Sequence, residues 1–174
     1  MSERHVLYLL RHGQAGERET WAGDDRERPL TQAGRREMHA VAQGLRWLNL
    51  KLDALITSPL TRAHATADCV AQALHPPLYT ASDLLAPGCD MLALGKVLEQ
   101  YPQMQRIMLV GHEPDLSQMI GELICAETPA QVAMKKAACC RINLDSEAIT
   151  NGTLAGRGVL IWHLPPKLLL RLGR

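Results

Sequence analysis

His5-Val6-Leu7-Tyr8-Leu9-Leu10, followed at once by Arg11-His12-Gly13, decides how the rest of the chain is read. After its first residue the run is apolar at every position. A strand formed here would be covered on both faces, as at the centre of a parallel sheet. The five apolar residues Val6 to Leu10 are too few for a signal peptide or a membrane span, and Arg11 ends them. A cytoplasmic protein without stable membrane association is the expectation.

Working outward, the same grammar recurs. A polar, glycine-containing loop runs from Gln14 to Arg28. Thr31 is an N-cap for a helix to about Leu48, with Met38, Val41, Ala42, Leu45 and Leu48 at helical spacing. Leu52 to Thr57 reads as a strand. Ser58-Pro59 supplies an N-cap with proline at the first helical position, for a helix to about Leu74. A weaker strand is expected near Leu78 to Thr80, a turn at Pro87-Gly88 and a helix from Met91 to about Gln100. Arg106 to Val110 is another buried strand, ending in Gly111-His112, and Pro114 opens a helix to about Ile124. Strands near Cys139 to Leu144 and Val159 to Leu164 close the fold, with turns at Asn151-Gly152 and Gly156 to Gly158 between them. Strand-helix alternation predicts an α/β three-layer sandwich, a mostly parallel sheet flanked by helices, in a single domain over residues 1–174.

Composition narrows the function. The chain is 47% hydrophobic, and 19 basic against 18 acidic residues leave a formal charge of +1. A nucleic-acid binder or a disordered acidic chain does not look like this. Phe is absent, so the core rests on Leu, Ile, Val, Ala and Met. The five cysteines (Cys69, Cys89, Cys125, Cys139, Cys140) are odd in number and contain no CxxC. They read as small core residues in a reducing compartment, not as a disulfide or zinc framework.

Three charged groups fall at strand-to-helix junctions, where open α/β sheets bind ligands. Arg11-His12-Gly13 puts a histidine at the end of the first strand; Gly13 allows a sharp turn and leaves room for a ligand, and Arg11 offers a planar fork of donors to phosphate oxygens. In Ser58-Pro59-Leu60-Thr61-Arg62-Ala63, Arg62 lies in the first helical turn and leans back over the strand end, where the helix N-terminus also favours an anion. Gly111-His112-Glu113-Pro114 repeats the geometry. Any one of these is commonplace alone, and His5, His39, His64, His75 and His163 are read as ordinary surface or core residues. Two histidines and two arginines at such junctions together point to a site. Two histidines are too few to hold a metal, two arginines would repel one, and HxH and HExxH are absent; no metal is expected.

Arg11-His12-Gly13, Arg28-Pro29-Leu30-Thr31 with Gly34, Ser58-Pro59-Leu60-Thr61-Arg62-Ala63 and Gly111-His112, taken in order, resemble the histidine phosphatase superfamily, with its phosphoglycerate mutase-like fold. Within it the chain looks like the short SixA-type phosphohistidine phosphatases. The resemblance extends from Leu7 to at least Leu123, and Leu160-Ile161-Trp162 through Pro165-Pro166-Lys167 is similar to the ends of that group. It implies that His12 is the nucleophile, kept neutral by its neighbouring arginines. Arg11, Arg62 and His112 would bind the phosphoryl oxygens together with His12 and stabilise the transition state. A phosphohistidine would form and be hydrolysed by water, with no metal or organic cofactor.

Many members of that family carry a glutamate that protonates an alcohol leaving group. The matching region here is Ser82-Asp83-Leu84-Leu85-Ala86-Pro87-Gly88, without a glutamate. Asp83 is a candidate acid, though a cap residue is the plainer reading; Asp24 and Asp25 in the loop could also reach the site. A P–N bond to imidazole needs less acid assistance, so a phosphohistidine-bearing protein, such as a phosphotransfer domain, is the expected partner. The alternatives are a general small-molecule phosphomonoesterase of the same fold and a non-catalytic phosphate or phosphopeptide-binding module. A mutase is disfavoured, because transfer back to substrate requires excluding water. The basic, apolar end from Lys167 to Arg174 is expected to pack on the sheet or fray, not to bind a membrane surface.

Overall fold

The computed structural model describes residues 4–128 and 130–173. Six strands form one sheet: β1 (Arg4–Arg11), β2 (Ala54–Thr57), β3 (Leu78–Ala81), β4 (Arg106–Gly111), β5 (Cys139–Asp145) and β6 (Gly158–Leu164). Their order across the sheet is β3-β2-β4-β1-β5-β6. β3, β2, β4 and β1 pair in parallel, whereas β5 is antiparallel to both β1 and β6. Six helices connect or follow them: α1 (Gln32–Trp47), α2 (Thr61–Leu74), α3 (Met91–Glu99), α4 (Asp115–Ile124), α5 (Ser146–Thr150) and α6 (Pro166–Leu172). The three-layer α/β sandwich expected from the sequence is the one formed.

The two-faced apolar run explains the layers. Leu7 and Leu9 of β1 join Ile56, Ile107 and Leu109 in a core beneath α3 and α4. Tyr8 and Leu10 join Leu55, Met108 and Val110 in a second core beneath α1 and α2. Alternate side chains of a strand leave opposite faces, so a central strand needs apolar residues at every position. Thr31 caps α1 as expected, its hydroxyl accepting from Gly34 N–H at 2.9 Å.

Three expectations change. Helix α2 starts at Thr61 after Leu60, not at Pro59, and Leu60 provides no side-chain cap. The Ser58 hydroxyl accepts from Leu60 N–H at 3.3 Å and also faces His112, the residue that follows β4. The C-terminal segment forms α6 and packs on α1, with Leu169 fully buried, instead of covering the sheet or fraying. Arg174 lies outside the described residues. The cause is a small-residue crossing: a Cβ on Gly44 would stand 2.2 Å from the Leu169 carbonyl oxygen, so only glycine lets the two backbones approach. Lastly, a Cβ on Gly13 would meet Met38 Cγ at 2.5 Å. The space at Gly13 therefore serves the packing of α1 and is not open to a ligand. Among the described residues, no helix is long and apolar enough to cross a membrane.

Candidate active site

Register brings the site together. In the parallel pair β1–β4, Arg11 lies opposite Gly111, and in β2–β4, Thr57 lies opposite Val110. The next residue out of each strand is therefore His12, His112 or Ser58. Backbone bonds keep this edge closed: His12 N–H donates to Gly111 O at 3.1 Å and Ser58 N–H to Val110 O at 2.9 Å. The segment entering β5 clamps the other side. Arg11 Nη1 donates to Met134 O at 2.7 Å, and Ala137 N–H reaches the carbonyls of both Arg11 and His12.

His12, Arg62 and His112 are buried, and Arg11 is half-buried. The His12 and His112 ring centroids are 5.2 Å apart. All four side chains line one cavity of about 330 Å³, whose wall also includes Asp25, Arg28, Glu17, Glu113 and Lys136. His12 Nδ1 lies 2.8 Å from Gly13 O. A carbonyl only accepts, so Nδ1 carries the proton and Nε2 keeps its lone pair. Burial, with smaller contributions from His112, Arg62 and Arg11, pushes the pKa of His12 down to about 3, against the opposing bond to Gly13. Burial, then Arg62, takes His112 to about 4. Both rings are neutral at pH 7. The arginines act in the direction expected from the sequence, but desolvation is the larger cause.

Arg11 Nε, Arg62 Nε and His112 Nδ1 are buried without a hydrogen-bond partner. Unpaired guanidinium N–H groups on two residues that line one cavity suit an oxyanion. The loop from Gln14 to Arg28 already places a carboxylate there. Asp25 Oδ2 accepts from Arg62 Nη2 at 3.0 Å, and the Asp25 backbone carbonyl accepts from Arg62 Nη1 at 2.7 Å. The other carboxylate oxygen accepts from Arg28 Nε at 2.9 Å. Asp24 instead caps the turn after it, accepting from Arg26 N–H.

Asp83 does not line the cavity. Its side chain is 89% exposed and stands 3.8 Å from Arg26. The cause is local: Asp83 opens a short 3-10 turn after β3 with its carboxylate in solvent, whereas Pro87 of the same connection lines the cavity. Sequence reasoning passed over Glu113 as a functional residue. Ser117 Oγ donates to its Oε2, its Oε1 is buried without a partner, and its charge opposes the burial-driven lowering of the Arg11 pKa. Its position directly after His112 was the available signal. Among the described residues, no cluster of three or more His, Cys, Asp or Glu could hold a metal ion, and the other five histidines lie away from the cavity lining.

Residues 7–85 match the family model described as histidine phosphatase superfamily (branch 1). The chain is 36% identical over 136 residues to an uncharacterized protein of Picosynechococcus sp., covering 75% of this chain and 80% of that one. It is 26% identical over 164 residues to the phosphohistidine phosphatase SixA of Escherichia coli, covering 92% and 93%. The solved structure of the protein histidine phosphatase SixA complexed with tungstate superposes with a TM-score of 0.78 at 24% identity, over 94% of this chain and 99% of that one. At that identity the superposition establishes the shared fold.

Proposed function

Because the chain belongs to the histidine phosphatase superfamily, we propose that it removes phosphoryl groups from phosphohistidine on a protein partner, using His12 as a covalent carrier and no metal. The observation that carries this reading is the state of His12: neutral, pinned at Nδ1 by Gly13 O, and set among Arg11, Arg62 and His112. Similarity to the E. coli phosphohistidine phosphatase across nearly the whole chain supports the substrate class. A cytoplasmic location belongs to the same proposal, supported by five free thiols suited to a reducing compartment.

The chemistry runs in two displacements. His12 Nε2 attacks phosphorus, the P–N bond to the substrate imidazole breaks, and that electron pair leaves with the imidazole. If the ring's other nitrogen is protonated, the departing group is a neutral imidazole. Water then attacks the phosphoryl group on His12, and phosphate leaves as Nε2 recovers its lone pair. Arg11, Arg62 and His112 offer donors to the equatorial oxygens throughout. Asp83, exposed and outside the cavity, is not assigned a proton-transfer role in this scheme.

A small-molecule phosphomonoesterase has one observation in its favour: Glu17 and Glu113 place carboxylates in the cavity wall, where one could protonate an alcohol. The deciding measurement is phosphate release from a phosphohistidine-carrying protein domain, with EDTA present, for wild type and His12→Ala. Release by wild type alone is expected. Inactivity there, with turnover of sugar phosphates, would transfer the assignment to the second reading. Oxyanion binding without turnover of either would leave a binding module.

A further inference from the structure

The Ser58 hydroxyl is fully buried at the junction of β2 and α2, and two groups meet it. Leu60 N–H donates to Oγ at 3.3 Å, and His112 Nε2 stands 2.7 Å from it. We infer that Ser58 is a positioning residue that selects the Nδ1–H tautomer of His112 and so turns a neutral imidazole into a donor for a phosphoryl oxygen. The inference rests on the phosphatase reading only for the identity of that oxygen's owner.

Oγ already accepts from Leu60, and the hydroxyl has one proton to place. Nε2 is its nearest acceptor, and giving the proton there satisfies both groups. The ring proton then sits on Nδ1, the nitrogen that is buried without a partner on a ring lining the cavity. The opposite assignment fails twice. Nε2–H donating to Oγ would strand the hydroxyl proton, and an Nδ1 lone pair would confront an incoming anion. Charge cannot substitute for the tautomer, because burial keeps His112 neutral at pH 7. Ser58 thus does for His112 what Gly13 O does for His12, with opposite polarity: a carbonyl fixes the nucleophile's lone pair on Nε2, and a hydroxyl fixes the stabiliser's proton on Nδ1.

Long-range proton–nitrogen NMR of the wild-type protein near pH 7, with His112 assigned by comparison with His112→Ala, reads the tautomer directly. A protonated Nδ1 and unprotonated Nε2 are expected; Nε2–H as the dominant form overturns the inference. Ser58→Ala supplies the functional arm, read by calorimetry as dissociation constants for orthovanadate and tungstate. Losing a charge-assisted donor predicts weakening by about tenfold or more, together with loss of the Nδ1–H signature in the same sample. An unchanged oxyanion affinity in a folded Ser58→Ala protein also overturns it. The tautomer and the affinities are measured without phosphohistidine. A protein that shows both effects yet leaves phosphohistidine intact loses the substrate assignment and keeps this one.

Discussion

Asp25 and Arg62 are bound twice, through the aspartate's carboxylate at Nη2 and through its backbone carbonyl at Nη1, so one loop residue occupies both terminal nitrogens of an arginine in the cavity wall. Arg28 holds the same carboxylate from the other side. Burial acts to raise the Asp25 pKa, but Arg28 and Arg62 outweigh it and hold the carboxyl below its ordinary range. The loop returns to its origin through the Ala15–Leu30 bridge, so this contact closes an excursion whose two ends are fixed.

Asp25→Asn keeps the shape, the backbone acceptor for Arg62 and one of the two side-chain acceptors, but turns the other oxygen into an N–H donor and removes a negative charge from the cavity. Vanadate should then inhibit several-fold more tightly, by roughly the 1 kcal/mol expected for a partly exposed charge beside an anion. Weaker inhibition by the variant would mean that holding Arg62 in place matters more than the repulsion.

Arg62→Lys should be costly despite conserving charge. A lysine ammonium lacks the planar fork that serves Asp25 with two nitrogens while Nε stays free. A loss of about 100-fold in kcat/KM is expected, with the melting temperature little changed. Steady-state kinetics on the phosphohistidine domain, beside a thermal melt, checks both halves.

Acid should destabilise the fold earlier than carboxylate titration alone would. In the unfolded chain a histidine titrates near 6.5, whereas His12 and His112 titrate at about 3 and about 4 when folded. Between those limits the unfolded chain binds protons that the folded one excludes. Their contribution is fully present above pH 6.5 and is lost as pH falls towards 4. Urea midpoints from pH 7 to 4 should decline, and His112→Gln should flatten the slope. A pH-independent midpoint over that window would contradict burial of neutral imidazoles.

Gly44→Ala should release α6 from α1, because the new methyl would sit 2.2 Å from a backbone oxygen that cannot rotate away. Undocking would expose Leu169, whose burial contributes about 1.5–3 kcal/mol. The expected result is a lower melting temperature and fast amide exchange confined to the last helix, with oxyanion affinity unchanged.

Much of the site was legible because its residues sit directly after strands. An apolar run ending in Arg-His-Gly, and another ending in Gly-His, place two histidines at strand ends without any knowledge of the partner strand. Asp83 was singled out by its place in the region that matches the family's acid, and yet its carboxylate stands outside the cavity. Which residues of the connection after β3 face the cavity is set by the turn from Asp83 to Leu85, and Pro87 does so where Asp83 does not. Glu113 fails in the other direction. It is beside His112 in the chain, but only the packing of Ser117 and Arg11 around it gives its carboxylate a place in the wall.

The sandwich, its core strands, the cap at Thr31 and the positions of Arg11, His12, Arg62 and His112 at strand ends and a helix start were readable from the residues alone, since each follows from local periodicity and from what a strand end or helix start does with its neighbours. Packing in three dimensions brings Asp25 to Arg62, sets Ser58 against His112 with no helix for it to cap, and docks the C-terminal segment on α1. Those contacts join residues far apart in the chain, and they depend on register, strand order and the closeness of two backbones, quantities that no local pattern of residues encodes.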